Sequence, residues 1–229
     1  MIFRRPVERL VLAGVALVLG LLAVAPAAGQ PDPRASVIEL EWPTPAGYER
    51  CAGVVTARRA RAAIAWTAGH CANVPFSVVR FFAGPAVRGS TVRVVARSAF
   101  ADAAALLVPL SAARANALSL AVASRTAPRL GSPLTVIGHP VSALRGPGQG
   151  RWTVTYARMG ETVPNPQSGA LEYEILCGRC GPGDSGSGVF DDGGGLVGIL
   201  YGVTDIANVA GGRLPDGRYA LVVPAAGLH

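Results

Sequence analysis

The sequence predicts an all-β protein in two lobes of about six short strands each. Composition supports this first. The 229 residues include 29 Gly and 18 Pro, and are 50% hydrophobic and only 15% charged. Many short strands joined by tight turns give such a balance, whereas long helices do not. Spacing supports it second, because short apolar runs recur along the chain with turn residues between them. A polar, alanine-rich interval then divides the runs into two groups.

The first group falls at 37–40, 53–56, 62–66, 77–82, 91–97 and 104–110. The second falls at 134–137, 152–158, 171–176, 187–190, 196–201 and 219–223. These define an N-terminal lobe over 36–112 and a C-terminal lobe over 133–229. The stretch 113–132, rich in Ala, Ser, Arg and Pro, is expected to link them with one helical turn at most. Alanine is the best helix former, so the alanine-rich 99–121 also admits a helix. The length suffices for one domain or two small lobes with a real core.

Residues 1–28 read as a signal peptide. Arg4, Arg5 and Arg9 precede an uncharged run from Leu10 to Ala25, and Ala25-Pro-Ala-Ala-Gly29 supplies small residues for cleavage. The run of 16 residues is shorter than the ~20 that span a bilayer comfortably. Residues 29–35 follow as an extended lead-in. The expected protein is therefore exported, periplasmic or secreted, with no stable membrane association after cleavage, and monomeric. Net charge is +7, and all 21 basic residues are Arg. Only Arg58, Arg59 and Arg61 cluster beyond the N-terminus, without interleaved aromatics, which argues for a solvated basic face and against a nucleic-acid partner.

Four cysteines in an exported chain suggest disulfides, with three possible connectivities. The local pairing Cys51–Cys71 with Cys177–Cys180 is preferred. Closing the first loop would stabilise the fold by roughly 3 kcal/mol. Zinc is the rival, but one CxxC plus two distant cysteines is half a signature. Cys177-Gly-Arg-Cys180 also runs into a glycine-rich loop, not into the helix that a thioredoxin-like motif opens.

The chemistry concentrates at Gly181-Pro-Gly-Asp-Ser-Gly-Ser-Gly-Val-Phe190. Its glycines and proline exclude a helix and leave a tight loop whose amides can approach a ligand closely. Ser185 there suits a nucleophile, and a plain surface turn is the competing reading. A base is available at Trp66-Thr-Ala-Gly-His70-Cys71, directly after a strand-like run. Imidazole is the natural general base for serine because its unperturbed pKa lies near neutrality. The other histidines, His139 before a proline and His229 at the end, read as structural and exposed. Asp102 immediately precedes an apolar run, where a carboxylate needs a partner. Orienting an imidazole would supply one, and capping a helix through 103–108 is the alternative.

Thr67-Ala-Gly-His-Cys71, Asp102-x-Ala-x-Leu106 and Gly183-Asp-Ser-Gly-Ser187 stand in the order His, Asp, Ser. In this the chain resembles the chymotrypsin/trypsin-like serine peptidases over about 190 residues, 37–224. The resemblance implies two six-stranded antiparallel β-barrels with the site in the cleft between them. It implies Ser185 as nucleophile, His70 as general base and then acid, and Asp102 as the orienting carboxylate. The amides of Gly183 and Ser185 would form the oxyanion hole of an enzyme that needs no metal or cofactor and cleaves a polypeptide substrate. Cys51-Ala-Gly-Val-Val resembles the family segment whose cysteine bridges to the one after the histidine. Gly217-Arg-Tyr219-Ala-Leu-Val-Val resembles its closing strand.

Departures from the family pattern also carry expectations. Cys180 lies five residues before Ser185, where trypsin-like enzymes have four, and its apparent partner Cys177 is local. Arg179 takes the pocket-floor position and would favour an acidic side chain before the scissile bond. Gly198-Ile-Leu-Tyr-Gly202 is one residue shorter than the family's substrate-binding strand, and assigns Leu200, Tyr201 and Gly202 to the pocket wall. No Arg-Ile-Val-Gly-Gly activation site follows the leader, so Asp184 is not expected to pair with a freed N-terminus. Val136-Ile-Gly-His-Pro140 resembles the corresponding turns of glutamyl-endopeptidase-like and HtrA-like members. The competing functions are a catalytically silent scaffold of the same fold and a small esterase using the same serine. The esterase elbow needs a second Gly where Ser187 stands.

Overall fold

Strands whose side chains alternate between two different apolar layers build two antiparallel sheets. The computed structural model describes residues 32–82, 86–138, 153–205 and 218–228. The first sheet contains β1 (Val37–Thr44), β2 (Gly47–Arg59), β3 (Ala62–Ala68), β4 (Val78–Phe81), β5 (Ala86–Arg88), β6 (Arg93–Arg97) and β7 (Ala103–Pro109). Their order is β5-β4-β1-β2-β3-β7-β6, curled but with β5 and β6 as edges. The second contains β8 (Pro133–Gly138), β9 (Thr153–Pro164), β10 (Leu171–Leu176), β11 (Gly188–Asp191), β12 (Leu196–Asp205) and β13 (Arg218–Pro224). These six close into a barrel, so the all-β architecture expected from the resemblance is observed. The first half has seven strands where six were expected, the extra one being the three-residue β5.

Period-two alternation explains the alanines. On β7, Ala104, Leu106 and Val108 face the interior of the first sheet, while Ala103 and Ala105 face the second half. The strand pairs with β3 on one side and β6 on the other. Small residues let it fit between two packed layers, and those tertiary contacts override alanine's helix preference. The only helix in the 99–121 stretch is α1 (Ala112–Ala117), where the Ser111 hydroxyl accepts from the Arg114 N–H as an N-cap. The middle apolar layer joins the halves, with Val37, Val54 and Trp66 meeting Ile137, Phe190, Ile199 and Val223. The barrel has its own core of Val136, Ile175, Val189 and Val222 among others.

One cluster of charge is buried within the first sheet. The register sets Glu41 opposite Arg50 and Glu39 opposite Arg80. Arg50 pairs with Glu39 at 2.9 Å and Glu41 at 3.1 Å, and Arg80 reaches Glu41 at 3.0 Å. Burial outweighs the attraction of Arg50 and holds the Glu39 carboxyl above its ordinary pKa. No described helix is long and apolar enough to cross a membrane. The signal-peptide reading of 1–28, residues 29–31 of the lead-in, and His139 and His229 lie outside the described residues. Pro33–Ser36 form a 3-10 turn where an extended lead-in was expected, because the Asp32 side chain accepts from the Arg34 N–H and caps it.

Removing Arg50 leaves two buried carboxylates with the half-buried Arg80 as their remaining partner. Arg50→Ala is expected to lose about 3–5 kcal/mol of stability, read by urea unfolding at neutral pH. Arg34→Ala, at an exposed pair with Asp32, should leave the urea midpoint essentially unchanged.

Candidate active site

The strand pairing of β3 with β7 places His70 beside Asp102. Their last paired residues are Ala68 and Ala103, so the chain leaving β3 and the chain entering β7 run past each other. Gly69 allows that approach, because a Cβ there would lie 2.5 Å from Asp102 Oδ1. The His70 N–H donates to Asp102 Oδ1 at 2.8 Å, and His70 Nδ1 meets Oδ2 at 2.5 Å. Arg97, from β6, donates to the Gly69 and Ala72 carbonyls at 3.1 and 2.9 Å and pins the turn that carries His70. Burial opposes ionisation of Asp102, but hydrogen bonds and charge attraction from His70, with the Gly69 amide, hold its pKa below the ordinary value. An ionised Asp102 favours the tautomer that carries its proton on Nδ1.

Cys51 and Cys71 are joined, tying β2 to that same turn. Cys51, His70 and Cys71 bring their donor atoms within 4.8 Å of one another. The disulfide leaves no thiolate for a metal. Cys71 Sγ lies 4.0 Å from the Ser185 carbonyl oxygen, which brings the serine loop to the histidine turn.

Residues 181–187 form that loop, and its backbone is tied down on three sides. Asp184 N–H donates to Gly181 O, Ser187 N–H to Asp184 O, and Gly186 N–H to Leu200 O on β12. The Ser185 carbonyl accepts from Ala52 N–H on β2 at 2.7 Å. Gly186 has φ +82°, and a Cβ there would sit 1.9 Å from Ala52 O, so only glycine fits. Among the described residues, the N–H groups of Gly183 and Ser185 donate to no acceptor, while those of Asp184, Gly186 and Ser187 all do. Gly183 also has positive φ, +91°. The loop thus commits the amides of Asp184, Gly186 and Ser187 to backbone acceptors and leaves those of Gly183 and Ser185 uncommitted.

Cys177 and Cys180 are joined in the turn just before. Arg179 is exposed on that turn, with no ion pair or hydrogen bond among the described residues. Leu200 is buried in the barrel core, so only its backbone reaches the loop. Tyr201 sits on an irregular step of β12, where the pairing with β13 shifts between Leu200 and Gly202. Its hydroxyl donates to Glu172 Oε2 at 2.6 Å, and Asn165 Nδ2 donates to Glu172 Oε1 at 2.7 Å. Burial, then the bond to Glu172 and its charge, hold the Tyr201 phenol well above its ordinary pKa. A cavity of about 520 Å³ opens here, lined by Phe100, Asp102, Asn165, Gln167, Ser168 and Tyr201 among others. Sequence reasoning missed Phe100, Asn165, Gln167 and Glu172. Asn165-Pro-Gln-Ser-Gly169 is legible as a turn, but nothing local indicates that it faces Asp102.

A His–Asp pair on one sheet and a glycine-held serine loop on the other are the parts of a serine-type endopeptidase. The family model of the trypsin-like peptidase domain matches residues 51–199, and the chain belongs to that family. Solved structures give the same fold. The chain is similar to Rv3671c from M. tuberculosis, in the inactive form of a serine-to-alanine mutant, with 19% identity, TM-score 0.62 and 90% of each chain covered. It is similar to the serine endoprotease from Yersinia pestis, with 18% identity and TM-score 0.60 over 84% of this chain and 60% of that one. The HtrA-type protease AlgW with tripeptide gives 20% identity and TM-score 0.60 over 86% of this chain and 60% of that one. No curated protein matches the chain in sequence.

Asp184 contrasts with Asp102. It is buried, accepts from the Gly181 N–H at 3.0 Å, and burial, only partly offset by that amide, pushes its pKa from 3.8 up to about 6. The native state therefore favours the neutral acid. That contribution to stability is full below pH 3.8 and is lost as pH rises through about 6. At pH 7.5 the buried charge disfavours the fold by about 2–3 kcal/mol. Asp184→Asn should be more stable than wild type by about that amount at pH 7.5. The gain should vanish near pH 4 in urea unfolding, and an equal gain at both pH values would contradict the assignment.

Proposed function

We propose that this peptidase cleaves polypeptides through an acyl-enzyme formed on Ser185, with His70 and Asp102 completing the machinery. The observation that carries this reading is the pair of uncommitted amides, Gly183 and Ser185, in a loop seated against the turn that bears His70. His70 Nε2 takes the hydroxyl proton as Ser185 Oγ bonds to the substrate carbonyl carbon. The carbonyl oxygen becomes an oxyanion and accepts from the two amides. Collapse breaks the C–N bond, and the proton on Nε2 goes to the leaving amine. Water, deprotonated by His70, then attacks the acyl carbon and restores Ser185. Asp102 keeps the imidazole oriented and balances its charge while protonated.

In this reading Tyr201, Gly202 and the Leu200 backbone form the wall along which substrate lies. Arg179 stands on the exposed turn beside it. The substrate is polypeptide, as for the family, and the chemistry requires no metal or cofactor. We further propose a monomer exported by residues 1–28, with the His–Asp half over 36–112, a linker at 113–132 and the serine half over 133–229. The composition of the leader supports export to the periplasm or medium.

A fluorophosphonate probe should label the folded protein and fail to label Ser185→Ala; absence of wild-type labelling would overturn the reading. Asp102→Asn would leave Nδ1 without its acceptor, and kcat should fall by roughly 10³–10⁴-fold with little change in KM. A loss confined to KM would assign Asp102 to substrate binding instead.

A further inference from the structure

The first sheet carries a second concave surface away from the serine loop. Its volume is about 470 Å³, and it is lined by Arg61, Arg88 and Arg114 around the apolar Val87, Pro109 and Leu110. These arginines are 27 and 26 residues apart in sequence and come from the β2–β3 turn, the end of β5 and helix α1. Two hydrogen bonds join the β2–β3 hairpin to the segment after β7 and to α1. Leu110 N–H donates to Arg61 O at 2.9 Å, and Arg58 donates to the Asn116 carbonyl at 2.8 Å, tying α1 to the hairpin. Among the described residues, no Asp or Glu lines the groove. None of its three guanidinium groups has an ion pair or hydrogen bond among the described residues.

Position separates this groove from the serine site. Asp102 precedes the start of β7, whereas Pro109 and Leu110 lie at its far end. At ~3.3 Å per residue the two are roughly 25 Å apart. β5, which contributes Ala86, Val87 and Arg88 to the groove, is a sheet edge whose one strand partner is β4.

We propose that this groove binds an extended acidic polypeptide segment, which adds alongside β5 and sets its carboxylates on Arg61, Arg88 and Arg114. Three features select that occupant. Guanidinium forks match carboxylates in paired hydrogen bonds, so converging arginines favour an anionic ligand. An open strand edge offers backbone groups to another extended chain. The apolar floor suits the alternate side chains of such a chain, which a bare phosphate would leave uncovered. The surface is an exosite, taking an acidic stretch of substrate or partner remote from the bond that is cut.

The test uses full-length Ser185→Ala protein, so that nothing is cleaved, and a fluorescein-labelled peptide of alternating Glu and Val. Anisotropy should show saturable binding that weakens with salt. Arg88→Ala with Arg114→Ala should weaken it by about tenfold or more, consistent with loss of two charge-assisted contacts. These substitutions, placed on the otherwise wild-type chain, should leave fluorophosphonate labelling of Ser185 unchanged. A backbone N-methylated form of the peptide should bind worse. The proposal is overturned if the peptide does not bind, if the arginine substitutions leave binding unchanged, or if the N-methylated form binds equally. It is also overturned if tripolyphosphate or phosphatidylglycerol vesicles bind the same arginines more tightly than the peptide does.

Discussion

The geometry of the serine loop depends on one residue of the other sheet. Ala52 donates its N–H to the Ser185 carbonyl, and its own carbonyl accepts the Thr67 hydroxyl at 2.6 Å while crowding the α-carbon of Gly186. A single peptide position thus anchors the Ser185 loop and fixes it to β3, the strand that leads to His70. The disulfide at the adjacent Cys51 secures the same point to the residue after His70. Rigid placement matters because a catalytic serine misplaced by an ångström loses much of its rate advantage. The seat is built from backbone, the Thr67 hydroxyl and the Cys51–Cys71 bridge. Gly186 is required within it, since any side chain there meets the Ala52 carbonyl.

The two aspartates near the serine follow opposite electrostatic logic. Asp102 receives hydrogen bonds from the His70 ring and from His70 and Gly69 amides, which together overcome its burial. Asp184 is more deeply enclosed and has one amide, that of Gly181, against burial. Its environment therefore prefers a proton where that of Asp102 prefers a charge. Close by, the buried Ser187 hydroxyl has no partner among the described residues, and Gly138 leaves room for it, since a Cβ there would overlap Ser187 Oγ. The loop that carries Ser185 is accordingly held by backbone hydrogen bonds while it buries two polar side chains, Asp184 and Ser187, at a cost. Such unsatisfied polar groups are affordable where function constrains the shape.

Much of this was legible in the sequence because its signals are local. Strand runs bounded by turn residues gave twelve of the thirteen strands, and the glycines at 183 and 186 announced a loop that no helix could replace. β5 escaped because three residues carry too little periodicity to read. The alanine-rich stretch misled in the other direction. Its helix preference is real, yet burial on both faces decides the conformation of β7, and burial is a property of the assembled sheets. The cavity beside Asp102 was illegible for a related reason. Glu172 and Asn165 lie 29 and 36 residues before Tyr201, and only the pairing of β9 with β10 and the irregular step in β12 bring them into one hydrogen-bonded group.

The arginines show how topology turns the same composition into different roles. Arg50 and Arg80 face inward from β2 and β4 and neutralise Glu39 and Glu41. Arg97 spends its fork on two carbonyls behind His70. Arg218 donates to the Cys180 carbonyl before the serine loop. For Arg50, Arg80 and Arg97 the planar guanidinium meets two acceptors at once, which a lysine ammonium would do with less directional control. Arg61, Arg88 and Arg114 line one groove and have no ion pair or hydrogen bond among the described residues. Gathering like charges is unfavourable within the isolated fold, and in the proposal above an acidic chain along the open edge of β5 would relieve it.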